Sequence, residues 1–285
     1  DPQDESTWRR VAWCQECECQ TNHTTEEHQE AQAVREEAEE RRGGVRTWLI
    51  MNDLQIPFHD KPVVELILNF VDDLKPYGVI LNGDVVDCYS LSTFDKNPLQ
   101  DAGLDREIRE SAYVLGRLAK STKERWWLGG NHEDRLRRVL WENPKFARLQ
   151  ALQFPELFHT QDYGFRWKPY GGIVHLGKLL VTHGSLVLKH SGWTGRAHFD
   201  KYGNSVLIGH THRLGVYYRT NAKGVHAAWE NGCVCKMTPE YVQYPDWQQG
   251  FSVVQVADQG WFNVSQIPIL KRSRFFYGGT LVGRR

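Results

Sequence analysis

Residues 79–87 read Val79-Ile80-Leu81-Asn82-Gly83-Asp84-Val85-Val86-Asp87, a short apolar run closed by a glycine and two carboxylates three residues apart. An uninterrupted apolar run of this length is what a strand buried on both faces requires. The glycine lets the backbone turn sharply where the strand stops. The spacing predicts a buried strand over 79–82 that carries Asp84 and Asp87 to the carboxyl edge of a sheet, where open α/β sheets present their ligands.

Working outward, the pattern predicts a strand over 46–51 and a helix over 62–74 before this run. After it come a helix over 105–122, a strand over 126–128 and a helix over 134–141. The second half is richer in strands: 173–176, 179–182, 206–208, 215–220, 225–230, 251–257 and 261–268. Hairpin turns are expected at Leu176-Gly177 and at Asp258-Gln259-Gly260. Alternating β and α elements followed by strand pairs imply an α/β architecture with two mixed sheets face to face and helices outside, a four-layer α-β-β-α sandwich.

Five polar clusters fall where predicted strands end: Asp53-Leu54-Gln55, Gly83-Asp84-Val85-Val86-Asp87, Gly130-Asn131-His132-Glu133, Thr182-His183-Gly184 and Gly209-His210-Thr211-His212. Each alone is ordinary. Together they supply carboxylate, amide and imidazole donors in order, each directly after an apolar strand. Two metal ions need about four protein ligands each, with one carboxylate shared, and the set suffices for that.

In these motifs the sequence resembles the calcineurin-like metallophosphoesterase superfamily, whose signature runs Asp-x-His, Gly-Asp-x-x-Asp, Gly-Asn-His-Asp/Glu, His, Gly-His-x-His. The resemblance covers roughly residues 45–268. Asn131-His132-Glu133-Asp134-Arg135 is similar to the Asn-His-Glu-x-Arg form of the Ser/Thr phosphatase branch. The phrases Gly209-His210-Thr211-His212-Arg213-Leu214-Gly215 and Tyr244-Pro245-Asp246-Trp247-Gln248-Gln249-Gly250-Phe251 resemble phage and prophage members.

Carried over by motif, the resemblance implies a dimetal phosphoesterase that cleaves phosphate monoesters or diesters, with nucleotides or nucleic acid favoured. A first divalent metal would be held by Asp53, Gln55, Asp84 and His212, and a second by Asp84, Asn131, His183 and His210. A metal-bridging hydroxide would attack phosphorus, His132 would protonate the leaving group as general acid, and Asp87 would orient it. Gln55 departs from the family's usual His. Its neutral oxygen is a weaker, harder donor than imidazole, which favours manganese over zinc, with magnesium or iron also compatible. His59 is the alternative donor nearby; its plainer role is local packing.

Arg135 could pair with a carboxylate to steady the Asn131-His132 loop. Lys189, His190, Arg196 and Arg213 read either as phosphate contacts or as solvated surface charge. Trp193 and Phe199, between two ligand blocks, read as a base-stacking platform or as core.

The chain has 285 residues and no net formal charge. Residues 1–44 carry 12 acidic and 5 basic side chains, leaving 23 acidic and 30 basic from residue 45 on, a mild excess that suits an anionic substrate. Residues 1–44 read as a separate acidic helical arm, with a phosphoesterase domain over 45–285. In the arm, Cys14, Cys17, Cys19 and His23 offer four soft ligands, read either as an additional structural zinc site or as reduced thiols. Cys233 and Cys235 read as small buried hydrophobes on a strand.

The six clustered cysteines do not suggest a secreted disulfide framework, so a cytoplasmic protein is expected, in host cytoplasm if the gene is a phage's. The start shows no signal peptide, and no run of about 18 apolar residues suggests a membrane span. The first residue is Asp1 rather than Met, leaving room for a preceding segment. Nothing in the sequence sets an oligomeric state. A non-catalytic metal-binding interaction protein on the same fold is the alternative reading, and a nuclease that recognises nucleic acid through its arm is a third.

Overall fold

The computed structural model describes residues 44–100, 102–239, 243–271 and 273–283; the arm and its Cys14, Cys17, Cys19 and His23 cluster lie outside the described residues. Strand β1 (Arg46–Met51) sits at the centre of a six-stranded sheet. It pairs in parallel with β2 (Gly78–Asn82), which continues in parallel to β3 (Glu124–Leu128) and β4 (Arg166–Lys168). On the other side β10 (Gly250–Val256) runs antiparallel to β1, and β11 (Phe262–Pro268) antiparallel to β10.

The second sheet orders β5 (Val174–Leu176), β6 (Leu179–Val181), β7 (Val206–Ile208), β9 (Gly224–Asn231) and β8 (Leu214–Asn221). Its centre is parallel and its edges are antiparallel. Both sheets are mixed.

Period-two alternation sorts β1 between two cores. Leu49 and Met51 face α1 (Lys61–Leu74) and α2 (Leu104–Ser121), packing with Ile67, Leu68, Val71, Leu115 and Leu118. Trp48 and Ile50 face the second sheet and meet Leu179, Val181, Leu207 and Trp229. On the far face of that sheet, Leu180, Val206 and Ile208 pack on Phe199 of a helix over Trp193–Tyr202. The result is the four-layer α-β-β-α order. Each fully buried aliphatic side chain contributes about 1.5–3 kcal/mol, so these three cores set where every strand ends.

Helix α1 starts because Asp60 caps it, accepting from Val63 N at 3.3 Å, with a proline in its first turn. Helix α3 (Asp134–Glu142) follows the Asn-His block. The helix over Trp193–Tyr202, α4 here once the single turn at Phe154–Leu157 is left unnumbered, has no counterpart in the sequence pattern. Its ten residues contain Gly195 and carry only a weak apolar stripe; a Cβ at Gly195 would press on Ala228 of β9.

The terminal hairpin of β12 (Arg274–Tyr277) and β13 (Thr280–Gly283) was likewise not expected. Its turn, Gly278-Gly279, has positive φ at both glycines, and it packs through Phe275 against Phe70 and Phe251. Cys233 and Cys235 are buried as expected. They do not lie within a strand, because β9 stops at Asn231 and the two residues form only isolated bridges to Gln249 and His59.

Candidate metal centre

Beyond the ends of β1 and β2 the two chains stay zipped. Asp53 N donates to Gly83 O at 3.0 Å, Gln55 N to Asp84 O at 2.8 Å and Ile56 N to Val85 O at 2.9 Å. Gly209 N donates to His183 O at 3.0 Å, so main chain ties the first two clusters to each other and the last two to each other. Side chains complete the ring, with His132 N donating to Asp84 Oδ1, His210 N to Asp53 Oδ2 and His183 Nδ1 against Asn82 O. Asp53, Gln55, Asp84, His210 and His212 all have positive φ, between 50° and 69°. Non-glycine residues held there cost about 1–3 kcal/mol each and concentrate at functional sites.

Two glycines permit the close approach. A Cβ on Gly83, itself at φ 85°, would collide with the His183 ring, and one on Gly130 would collide with the Asp84 carboxylate and amide.

The side chains form two groups. In one, Asp84 Oδ2 lies 3.2 Å from His183 Nε2, and donor atoms of Asp84, His183 and His210 lie within 4.8 Å of one another. In the other, His212 Nε2 lies 3.1 Å from Asp53 Oδ1 and 3.2 Å from Gln55 Nε2. Asp53 Oδ2 links the groups by accepting from His210 N at 2.9 Å, and the His183 and His210 rings are 5.2 Å apart. His183 Nδ1 is spoken for by Asn82 O at 2.8 Å, which fixes the ring and turns Nε2 toward Asp84.

Burial lowers the pKa of His183, but Asp84 more than reverses this and raises it to about 9. Burial likewise works against the charged form of His212, and Asp53 raises it well above the ordinary value. Asp84 is pushed up by burial and held well below the carboxylate range by His132 and His183. His210 is taken down to about 4 by burial and by His183, so it is neutral near pH 7.

Three buried atoms, Asp53 Oδ1, Asn131 Oδ1 and His183 Nε2, make no aligned hydrogen bond; the first and last face only an imidazole and a carboxylate across a charge contact. Buried polar atoms are ordinarily satisfied, and a cation is the partner that oxygen and imidazole donors of this kind accept. The residues therefore fit divalent metal ions.

His132 stands beside this set. Its main-chain N donates to Asp84 Oδ1 at 2.9 Å, its Nδ1 is 3.3 Å from Asp87 Oδ2, and its Nε2 is 3.7 Å from Asp84 Oδ2. Burial lowers its pKa, and Asp84 and then Asp87 raise it further, leaving it above the ordinary value. Arg135 donates to both Oδ1 and the main-chain O of Asp87 at 2.7 Å.

Two supporting groups were not singled out from the sequence. Glu133 accepts from the backbone N–H of Asp84, Val85, Val86 and Gly130 and from Trp127 Nε1, clamping two ligand loops together; its position directly after His132 was the available signal. Asn52 donates to Gly232 O and to Asp53, and accepts from Asn231 Nδ2 at 2.7 Å, a buried network that one-dimensional spacing does not reveal.

The peripheral residues divide. Arg213 is buried, donating to the main-chain oxygens of Lys189 and Leu188, with Nε 3.9 Å from Glu230. It braces the loop instead of standing as a solvated charge. Lys189, His190 and Arg196 are exposed, His190 resting on the edge of Trp193. Phe199 is core, so the base-stacking reading survives only for Trp193, which is 55% exposed. His59 turns toward Glu110, 3.7 Å away.

The profile of the Calcineurin-like phosphoesterase family matches residues 47–214, more than half of the chain and a span that contains all five clusters. The chain belongs to this family. Gene 54 protein of Mycobacterium phage D29 is 27% identical over 228 residues, covering 73% of this chain and 88% of that protein. Gene 54 protein of Mycobacterium phage L5 is 25% identical over 230 residues, covering 74% and 89%. These agree with the resemblance to phage members. Among solved structures, zinc-complexed Vps29 of Entamoeba histolytica matches 80% of this chain and 94% of that one at 11% identity and a TM-score of 0.43. Vps29 of Cryptosporidium parvum matches 84% and 95% at 15% identity and a TM-score of 0.43. No helix among the described residues is long and apolar enough to cross a membrane.

Proposed function

We propose that this calcineurin-like protein is a two-metal phosphoesterase. Asp53, Gln55, Asp84 and His212 hold one divalent cation; Asp84, Asn131, His183 and His210 hold the other. The observation that carries this reading is the set of three buried donor atoms without a hydrogen bond, drawn from three different loops that hydrogen bonds through Asp84, Asn82 and Asp53 hold together. When bound, such cations lower the pKa of water and neutralise phosphate oxygens. Gln55 turns its amide nitrogen toward His212 Nε2 here, so holding a cation requires the amide to flip and present its oxygen. An oxygen in that place suits manganese where imidazole would favour zinc.

The chain's own contribution is the leaving-group proton. His132 is half-buried, with Nδ1 facing Asp87 and Nε2 facing Asp84. The two carboxylates favour the protonated ring against its burial. The Nε2 proton passes to the departing oxygen, and Asp87, itself anchored by Arg135, holds the ring in line. Asn131 and Gly130 carry the substrate-facing loop, and Glu133 keeps it from moving relative to Asp84.

The basic balance beyond residue 44 favours anionic substrates, so nucleotides and oligonucleotides are the first candidates. The deciding experiment is a hydrolysis panel with Mn²⁺: aryl monoester, aryl diester, cyclic nucleotides, single-stranded DNA and a phosphopeptide, each repeated with chelator. Hydrolysis of at least one ester that chelator abolishes is expected. Rates equal with and without chelator, or no turnover of any ester, would overturn the proposal.

A further inference from the structure

His212 differs from His183 in what stands behind it. At His183 a main-chain carbonyl, Asn82 O, takes Nδ1 at 2.8 Å. Behind His212, Nδ1 faces the Cys235 sulfur at 3.9 Å, while Nε2 faces Asp53 and Gln55. Sulfur's larger radius makes hydrogen bonds to it longer than those to oxygen, and it is a weak acceptor as a thiol. The ring cannot turn away, because it is buried and the Trp247 ring packs edge-on against it at 4.2 Å.

Cys235 is itself held in place. Its main chain bridges His59, its carbonyl accepts from Gln249 Nε2 at 2.9 Å, and Lys236 N next to it donates to Phe58 O at 3.0 Å. Cys233 Sγ donates toward Gln248 O at 3.7 Å, although it too lies within 4.8 Å of the Cys235 sulfur and a His212 ring nitrogen. Of these two thiols it is Cys235 that comes within hydrogen-bond reach of the imidazole.

We propose that Cys235 is a positioning residue: its Sγ accepts the hydrogen bond from His212 Nδ1–H and thereby leaves Nε2 as the donor atom beside Asp53 and Gln55. The inference rests on reading Asp53, Gln55 and His212 as ligands of one cation. An acceptor behind a metal-binding imidazole fixes which nitrogen is free and raises the basicity of the ligand, and its loss ordinarily costs about 10–100-fold in metal affinity. The contribution matters more here because the neutral Gln55 amide is the weakest donor of that group.

The test compares full-length Cys235→Ser, Cys235→Ala and Cys233→Ala with the unmodified protein, by calorimetric titration with Mn²⁺ and by nitrogen-15 NMR of the histidines in metal-free protein. Cys235→Ala is expected to weaken one of the two Mn²⁺ sites by about tenfold, and Cys235→Ser, whose hydroxyl still accepts, to stay within about threefold. Cys233→Ala should match the unmodified protein. In the His212→Asn background Cys235→Ala should cost nothing further, since its effect runs through the ring.

NMR should find a proton on His212 Nδ1 at neutral pH, with its resonance shifted in Cys235→Ala. Equal affinities across the series, an equal loss in the serine and alanine variants, or His212 protonated at Nε2 alone would each overturn the proposal. So would zinc in the purified protein that either cysteine variant removes, which would assign His212, Cys233 and Cys235 to an ion of their own. If Cys235→Ala does not fold, the serine variant and the NMR reading decide. If the unmodified protein takes up no Mn²⁺, the two-metal reading fails while the Nδ1 proton still tests this one.

Discussion

The two donor groups are built on the same plan, a buried carboxylate against a buried imidazole at 3.1–3.2 Å, yet they differ in everything around that pair. The Asp84 group adds His210, with Asn131 assigned to it by motif, and a main-chain carbonyl fixes His183 from behind. The Asp53 group adds only the neutral Gln55 amide, and the ring behind it meets sulfur and an indole. A carboxylate–imidazole pair supplies charge to both groups; donor number and ring support distinguish them. The Asp84 group is therefore expected to be the tighter site, with occupancy of the Asp53 group limiting activity at low metal.

The most severe way to break this comparison is Asp84→Asn, because the proposed ligand set shares that carboxylate between both cations. Bound Mn²⁺ should fall from two to at most one per chain by elemental analysis, and ester hydrolysis should fall by at least about 10³-fold, the several kcal/mol expected of cation stabilisation. Retention of both metals would remove Asp84 from its shared position.

Next in size, His132→Ala should keep both metals and lose about 10² to 10⁴ in turnover on esters with poor leaving groups, and far less on nitrophenyl esters. Equal losses on both kinds of ester would assign His132 to phosphate binding.

Acidity separates the groups from within. His183 has a pKa near 9 in the metal-free protein and must give up its proton to bind a cation, whereas His210, near 4, is already neutral. Mn²⁺ affinity at the Asp84 group should therefore rise by roughly tenfold per pH unit from pH 7 and level off above about 9. Calorimetry in buffers of different ionisation heat should show proton release at pH 7; heats independent of buffer would contradict the pairing. A smaller change, Gln55→His, should tighten the Asp53 group by about tenfold and narrow the gap between sites, shifting preference toward zinc. An unchanged titration would mean that Gln55 is not a donor.

The smallest expected effect lies outside both groups, at a buried carboxylate that no imidazole compensates. Glu107 accepts from Cys88 N and Tyr89 N, and burial nonetheless raises its pKa to about 8. The folded state holds this proton more tightly than the unfolded chain. Its contribution to stability is thus full below about 4.5 and is lost as pH rises through about 8. Glu107→Gln should flatten the fall in melting temperature between pH 5.5 and 8.5 by a few degrees, at roughly 2–4 °C per kcal/mol. An undiminished slope would place the titrating group elsewhere.

By itself the sequence determined which strands form the centre of the fold and which side chains gather at their ends. Strands buried on both faces must be apolar, as 79–81, 179–181 and 206–208 are; the polar residues that follow them then stand out, as Asp84, His183 and His210 do. Elements with little apolar pattern of their own were invisible. Helix α4 forms because Gly195 lets it lie close on Ala228, and the last hairpin because Phe275 finds Phe70 and Phe251, and neither fact is local.

Tertiary structure alone decided the roles of groups that act at a distance along the chain. Glu133 reaches back 49 residues to Asp84, Arg213 spends its guanidinium on Leu188 and Lys189, and Cys235 meets His212 across 23 residues. Spacing in one dimension reports periodic burial, which is a property of single elements. Partnership between a buried donor and its acceptor is settled only when the sheets bring separate loops within 3–4 Å of each other.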